Sequence, residues 1–211
     1  RPPISTLFPY TTLFRSCNTG INITLNLEEN PPADEARLAM AWDPGNAGYP
    51  YKLASALMNA RDRLMQQYEP DTEGWRRSHG PIIELLERAI RLNPLNPEYH
   101  VRLGWEYSYL WDRPDHLTRW LPAGDLCLER AAWFAGSWPQ NPKLHYDMGN
   151  YWTMRAGSLG PGSPKSDAAW VTAVWHYRKG MEMEGQKKLP DDVLAYIRNF
   201  FTDETHLHLL K

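Results

Sequence analysis

Proline placement constrains this chain more than any other feature, and residues 85–109, LLERAIRLNPLNPEYHVRLGWEYSY, hold the tightest case. Ile82, Leu85, Leu86, Ala89, Ile90 and Leu92 repeat at helical spacing, so they mark one apolar face. Asn93-Pro94 ends that helix, because proline lacks the N–H and collides with the preceding turn. Asn96 then offers a capping side chain. Pro97 sits at the first helical position, where a missing N–H loses nothing, and Leu103, Tyr107 and Leu110 give the next helix its inward stripe. A helix–turn–helix joint follows.

The joint recurs. Asn141-Pro142 with His145, Met148, Gly149 and Trp152 repeats Asn96-Pro97 with His100, Leu103, Gly104 and Tyr107 after 45 residues. Upstream, Ala39, Trp42, Asp43 and Pro44 precede Ala89, Leu92, Asn93 and Pro94 by 50 residues, with Leu53-Ala54 standing where Leu103-Gly104 would. This pattern resembles the tetratricopeptide repeat (TPR), in a divergent bacterial form with long repeats. The resemblance implies an all-α solenoid of stacked antiparallel helix pairs over residues 33–211. In that family small residues let helices approach closely while larger apolar ones fill the space between them.

Residues 1–16 are set aside from the fold. Thr6 to Ser16, TLFPYTTLFRS, is the translation of a common sequencing-adapter oligonucleotide, and the codons just before it yield all but one base of the residues upstream. With no initiator methionine, and with 206–211 ending inside an apolar run, the chain reads as a gene fragment. A signal peptide or anchor preceding Cys17 is then not legible, nor is the compartment. Without Arg1 and Arg15, 21 basic residues face 25 acidic ones and no basic block remains, which argues against nucleic acid as a partner. Cys17 and Cys127 form no disulfide framework or zinc set, and no apolar run is long enough to span a membrane. Cys127, between Leu126 and Leu128, is expected to be a buried thiol.

Residues 17–32 form an irregular lead-in whose Ile21, Ile23, Leu25 and Leu27 alternate as in a strand or an extended segment. Helices are expected at 34–42, 49–68, 81–92, 97–111, 124–134, 142–155, 165–183 and 190–201. The spacing of the repeats, 45 to 50 residues, exceeds the usual TPR unit of about 34. The excess is expected in three loops, 69–80, 112–123 and 157–164, which would build up one edge of a solenoid.

Residue chemistry points away from catalysis. No serine or cysteine occupies a nucleophile-elbow pattern, and the glycines of 157–162 lack the lysine and hydroxyl of a phosphate loop. His100 and His145 hold equivalent repeat positions, so they are expected to pack about 10 Å or more apart rather than to converge with His176 on a metal. No cofactor is expected. Aromatics are the unusual feature: all 10 Trp lie beyond residue 16, with Trp75, Trp120 and Trp138 expected in turns or loops and Trp105, Trp152, Trp170 and Trp175 expected in packed helices.

In the TPR family the first helix of each pair lines a concave groove, which by motif spacing nominates Tyr51, Ser55, Val101, Trp105, Tyr109, Tyr146 and Asn150 for partner binding. Lysines that clamp a peptide carboxylate in some relatives are replaced here by Tyr51, Val101 and Tyr146. The resulting aromatic, mostly neutral lining suits an apolar helix, an extended peptide or a saccharide. The reading is a non-catalytic scaffold that binds a protein or peptide. Its alternative is the soluble TPR tail of a membrane-bound, surface-polysaccharide ligase or polymerase-like protein.

Overall fold

Every element of the computed structural model is helical across the residues it describes, 31–67, 72–110, 113–136, 141–160 and 163–201. The α-helices are α1 (Pro31–Trp42), α2 (Gly48–Gln67), α3 (Thr72–Leu92), α4 (Pro97–Ser108), α5 (Leu121–Ala135), α6 (Pro142–Ser158), α7 (Pro164–Glu184) and α8 (Asp191–Arg198). A π-helical turn, His116–Trp120, leads into α5. The expectations for residues 1–16, for the alternation at 21–27 and for Trp138 lie outside the described residues. The all-α expectation holds for the rest.

The expected loops are largely helix. Residues 72–80 form the first half of α3, and residues 116–123 are the π-turn and the start of α5. Only 159–163 separates α6 from α7. The long repeat spacing therefore resides mainly in long helices, and no thrice-thickened edge of loops exists among the described residues. Pro81, expected to open a helix, sits inside α3 instead. Its missing N–H is outweighed by the buried side chains on either side: Ser78 and His79 are 6% and 0% exposed, and Ile82 and Leu86 are fully buried. Gly80 precedes it without a Cβ, which relieves the clash a proline ring makes with the residue before it. Pro81→Ala should stabilise the protein by about 1–2 kcal/mol, read from the denaturant midpoint, because the backbone regains a hydrogen bond.

Contacts divide the chain into two compact units, Arg1–Leu92 and Asn93–Lys211, with the boundary at the Asn93-Pro94 turn. In the first unit α2 packs on both α1 and α3. Its buried face carries Leu53, Ala54 and Leu57 and then, one turn on, Arg61, only 3% exposed. That guanidinium donates to His79 Nδ1 at 3.2 Å and lies 5.0 Å from the Trp75 ring, which fixes His79 Nδ1 as an acceptor.

The second unit is built from α4–α5 and α6–α7, with α4 and α8 each also packed on α6. Both pairs run antiparallel: Tyr107 meets Trp120 while His100 meets Phe134, and Gly149 meets Tyr177 while Ala156 meets Ser166. The proline starts are capped as their side chains predict. Asn96 Oδ1 accepts from the Glu98 N–H at 3.0 Å, Asn141 Oδ1 from Leu144 at 3.3 Å and Ser163 Oγ from Ser166 at 3.1 Å. Gly185 ends α7 in the left-handed region at φ 65°, where a side chain would be strained.

Glycines set the depth of the pairs. Gly104 of α4 faces Gly124 of α5 so closely that a Cβ on either would stand 3.1–3.2 Å from the other's carbonyl oxygen. In α6–α7 the seats are reciprocal. Tyr177 of α7 lies on Gly149 of α6, and Tyr146 of α6 lies on Gly180 of α7. Around these rings Ala156, Trp170, Ala173, Val193, Ile197 and Phe201 close a core shared by α6, α7 and the α8 region.

Candidate functional site

The first helices of the second unit, α4, α6 and α8, adjoin through α6, and their half-buried side chains form the candidate surface. Trp105 of α4 stands edge-on to the buried Tyr151 ring at 5.4 Å and tilts against Tyr109 at 6.0 Å. Both Trp105 and Tyr109 remain partly exposed. Tyr196 of α8, missed in the sequence, belongs with them: burial first, then the Tyr109 phenol, raises its hydroxyl pKa well above the usual range. Motif spacing did not find it because α8 has Tyr196-Ile197 where α4 and α6 carry Leu103-Gly104 and Met148-Gly149.

The other nominated residues divide by burial. Val101 is 1% exposed and Tyr146 6%, so neither side chain offers surface to a partner, and both are corrected from groove to core. Their periodicity was inward: Val101 is close to one helical turn from Gly104, and Tyr146 fills the seat at Gly180. Tyr146 also donates to Glu184 Oε2 at 2.7 Å, and burial followed by that carboxylate pushes its phenol far up. Asn150 is half-buried, and its Oδ1 accepts from the Tyr177 hydroxyl at 2.9 Å, which in turn meets Thr153 Oγ1 at 2.8 Å. Tyr51 and Ser55 are half-buried on α2 of the first unit, where Ser55 Oγ donates to the Tyr51 carbonyl at 2.9 Å.

An ion pair links α4 to α6. Arg102 of α4 lies 3.6 Å from Asp147 of α6, whose carboxyl is nevertheless raised, chiefly by desolvation and against the pull of Arg102 and Lys143. No family model, curated protein or solved structure matches the chain.

The histidines serve separate structures. His100 donates Nε2–H to the Pro94 carbonyl at 2.8 Å and packs on Phe134 at 5.6 Å, so it fastens the turn before its own helix. His145 instead meets His176 across α6–α7. Among the described residues, no three His, Cys, Asp or Glu side chains converge as a metal set, and no helix is long and apolar enough to cross a membrane.

Tryptophans expected in the core behave unequally. Trp170 is buried and Trp152 partly so, while Trp175 is 49% exposed, a correction to its expected core packing. Trp120, expected in a loop, is stacked by Arg119 at 4.5 Å and held by its Nε1 donating to Asp115 Oδ1 at 2.8 Å. Cys127 is buried, as expected of a thiol flanked by leucines.

Proposed function

We propose that this chain is a non-catalytic, TPR-like scaffold that holds a protein or peptide partner against Trp105, Tyr109 and Tyr196. The observation that carries the reading is the placement of these three aromatics, half-exposed, on helices that adjoin through α6. Two further features support the solenoid on which it rests. Both pairs of the second unit are antiparallel and seated on glycine, and its first helices touch in chain order, α4 to α6 to α8, as stacked repeats require. Rigid aromatic anchors lose little conformational entropy on binding, which favours them over the loops as the contact surface.

The test compares capture of a partner from native lysate by the parent, by Trp105→Ala with Tyr109→Ala, and by a chain with 113–119 shortened. Asn150 is left intact, because its Oδ1 supports the buried Tyr177 hydroxyl and its loss would disturb the core. With folding checked by circular dichroism, the aromatic variant should lose the captured protein and the shortened chain should retain it. Retention by a folded aromatic variant removes this surface from the mechanism.

A further inference from the structure

His145 and His176 face one another through their Nδ1 atoms at 3.1 Å, with rings 5.4 Å apart and only 5% and 1% of each residue exposed. Two Nδ1 atoms at this distance are joined by a single proton: one imidazole donates Nδ1–H and the other accepts with its lone pair. The two rings therefore hold opposite tautomers. Proton uptake at the acceptor Nδ1 converts its lone pair into a second N–H, so two donors, one of them on a positively charged ring, would face each other in a buried space.

We propose that the His145–His176 contact is an acid-sensitive latch on the α6–α7 pair, closed while one proton is shared and forced apart when the second arrives. The latch lies between the helices that seat Tyr177 and Tyr146 on Gly149 and Gly180, so its opening would loosen the element on which α4 and α8 both rest. Trp175 borders both rings, 4.8 Å from His176 and 6.0 Å from His145, and contributes no charge.

The surroundings do not offset the second proton. On α7, Lys179 acts on His145 and disfavours its protonation, while Glu182 is engaged with Lys179 at 2.7 Å. Arg178, next to Tyr177, is exposed. On α6, Lys143 is cationic and Asp147 is paired with Arg102 of α4, beside Glu98. On α8, Asp192 acts on Tyr146. Among the described residues no carboxylate acts on either imidazole. Desolvation, then His145, brings His176 down to about 3 from 6.5, and desolvation, then Lys179, lowers His145.

The direction in pH follows. A histidine whose folded pKa lies below its unfolded one binds more protons unfolded, so its contribution to stability is complete above the unfolded value near 6.5 and is lost as pH falls. His176 alone should lower the folding equilibrium constant about 30-fold between about pH 8 and about pH 5.

Denaturant unfolding of the parent and of His145→Gln with His176→Gln at those two pH values tests the latch. The parent should lose about 30-fold or more beyond whatever the variant loses, and α7 amides, corrected for intrinsic exchange, should lose protection at the lower pH more than α5 amides do. Equal losses in parent and variant would overturn the proposal. Should the variant not fold, nitrogen NMR of the parent's imidazoles decides: the His176 ring should stay neutral, with one Nδ1 proton shared between the rings, down to about pH 5. Titration of His176 near 6.5 in the folded protein would sink the idea.

Discussion

Gly104→Leu should cost the protein at least the upper end of the roughly 1–3 kcal/mol typical of overpacking. The new Cβ would fall on Leu128 Cδ2 and stand 3.2 Å from the Gly124 carbonyl oxygen and 3.5 Å from Cys127 Cβ. Leu128 is 0% exposed, and the carbonyl belongs to helix α5, so neither neighbour can yield without moving the pair apart. Gly149 poses the same demand more sharply. A Cβ there would lie 2.5–2.9 Å from three atoms of the Tyr177 ring, which is fully buried and tied by Thr153 and Asn150. Even Gly149→Ala should therefore shift the denaturation midpoint strongly, whereas Gly136→Ala, with nothing within 4 Å of its Cβ, should leave it nearly unchanged. Equal midpoints for the Gly104 variant and the parent would mean that α4 and α5 do not approach through glycine, and the repeat reading would lose its main physical support.

Those two glycines were legible in the sequence because each follows a large apolar residue at a fixed distance from an Asn-Pro start. Gly124, which faces Gly104, and Gly180, the seat of Tyr146, were not, since nothing local marks which helix they face. The same limit hid the His145–His176 contact. The residues are 31 apart, and only the antiparallel register of α6 and α7 brings them together. The start of α3 was missed for a different reason. Trp75, His79, Ile82, Leu86 and Ala89 do make a continuous helical stripe, but it reads as polar when His79 is counted as a surface residue and Pro81 as a start. α2 was legible within a residue of its ends even though Arg61 places a charged side chain on its inward face after Leu53 and Leu57.

The candidate surface was legible only in part, and the residues show why. Motif spacing assigns a residue to a helix of a pair but leaves about one position of rotational uncertainty around its axis. That is enough to turn Val101 and Tyr146 inward while Trp105 and Tyr109 keep a wetted edge. A groove of stacked repeats also depends on what joins one pair to the next, and here the joint is polar. Asp125 of α5 receives the Tyr151 hydroxyl at 2.9 Å and the Arg155 Nε at 3.0 and 3.1 Å, both from α6. Tyr151 is 0% exposed and also carries the edge of Trp105, so the clasp supports the candidate surface from behind.

Asp125→Ala is accordingly expected to destabilise the second unit by roughly 3 kcal/mol, because it strands two α6 donors at a largely desolvated joint. Arg155, 13% exposed at its side chain, would keep its charge without the carboxylate, and the Tyr151 hydroxyl would lose its acceptor. Asp125 also helps hold the Tyr151 phenol far above its usual pKa, after burial as the larger cause, so the hydroxyl remains a donor throughout the accessible pH range. Asp125→Asn separates the two roles, since the amide oxygen can still accept from Tyr151 while the attraction for Arg155 is gone. Its loss should fall between those of the parent and the alanine variant. A double-mutant cycle with Arg155→Met measures the coupling directly, and an interaction energy near zero would show that the clasp holds Tyr151 alone. If the joint carries the groove, Asp125→Ala should also weaken partner capture in proportion to its effect on the second unit, although Asp125 itself bonds to the back of Tyr151 rather than to the partner surface. Full capture by a measurably destabilised but folded variant would uncouple the two and place binding on one helix pair alone.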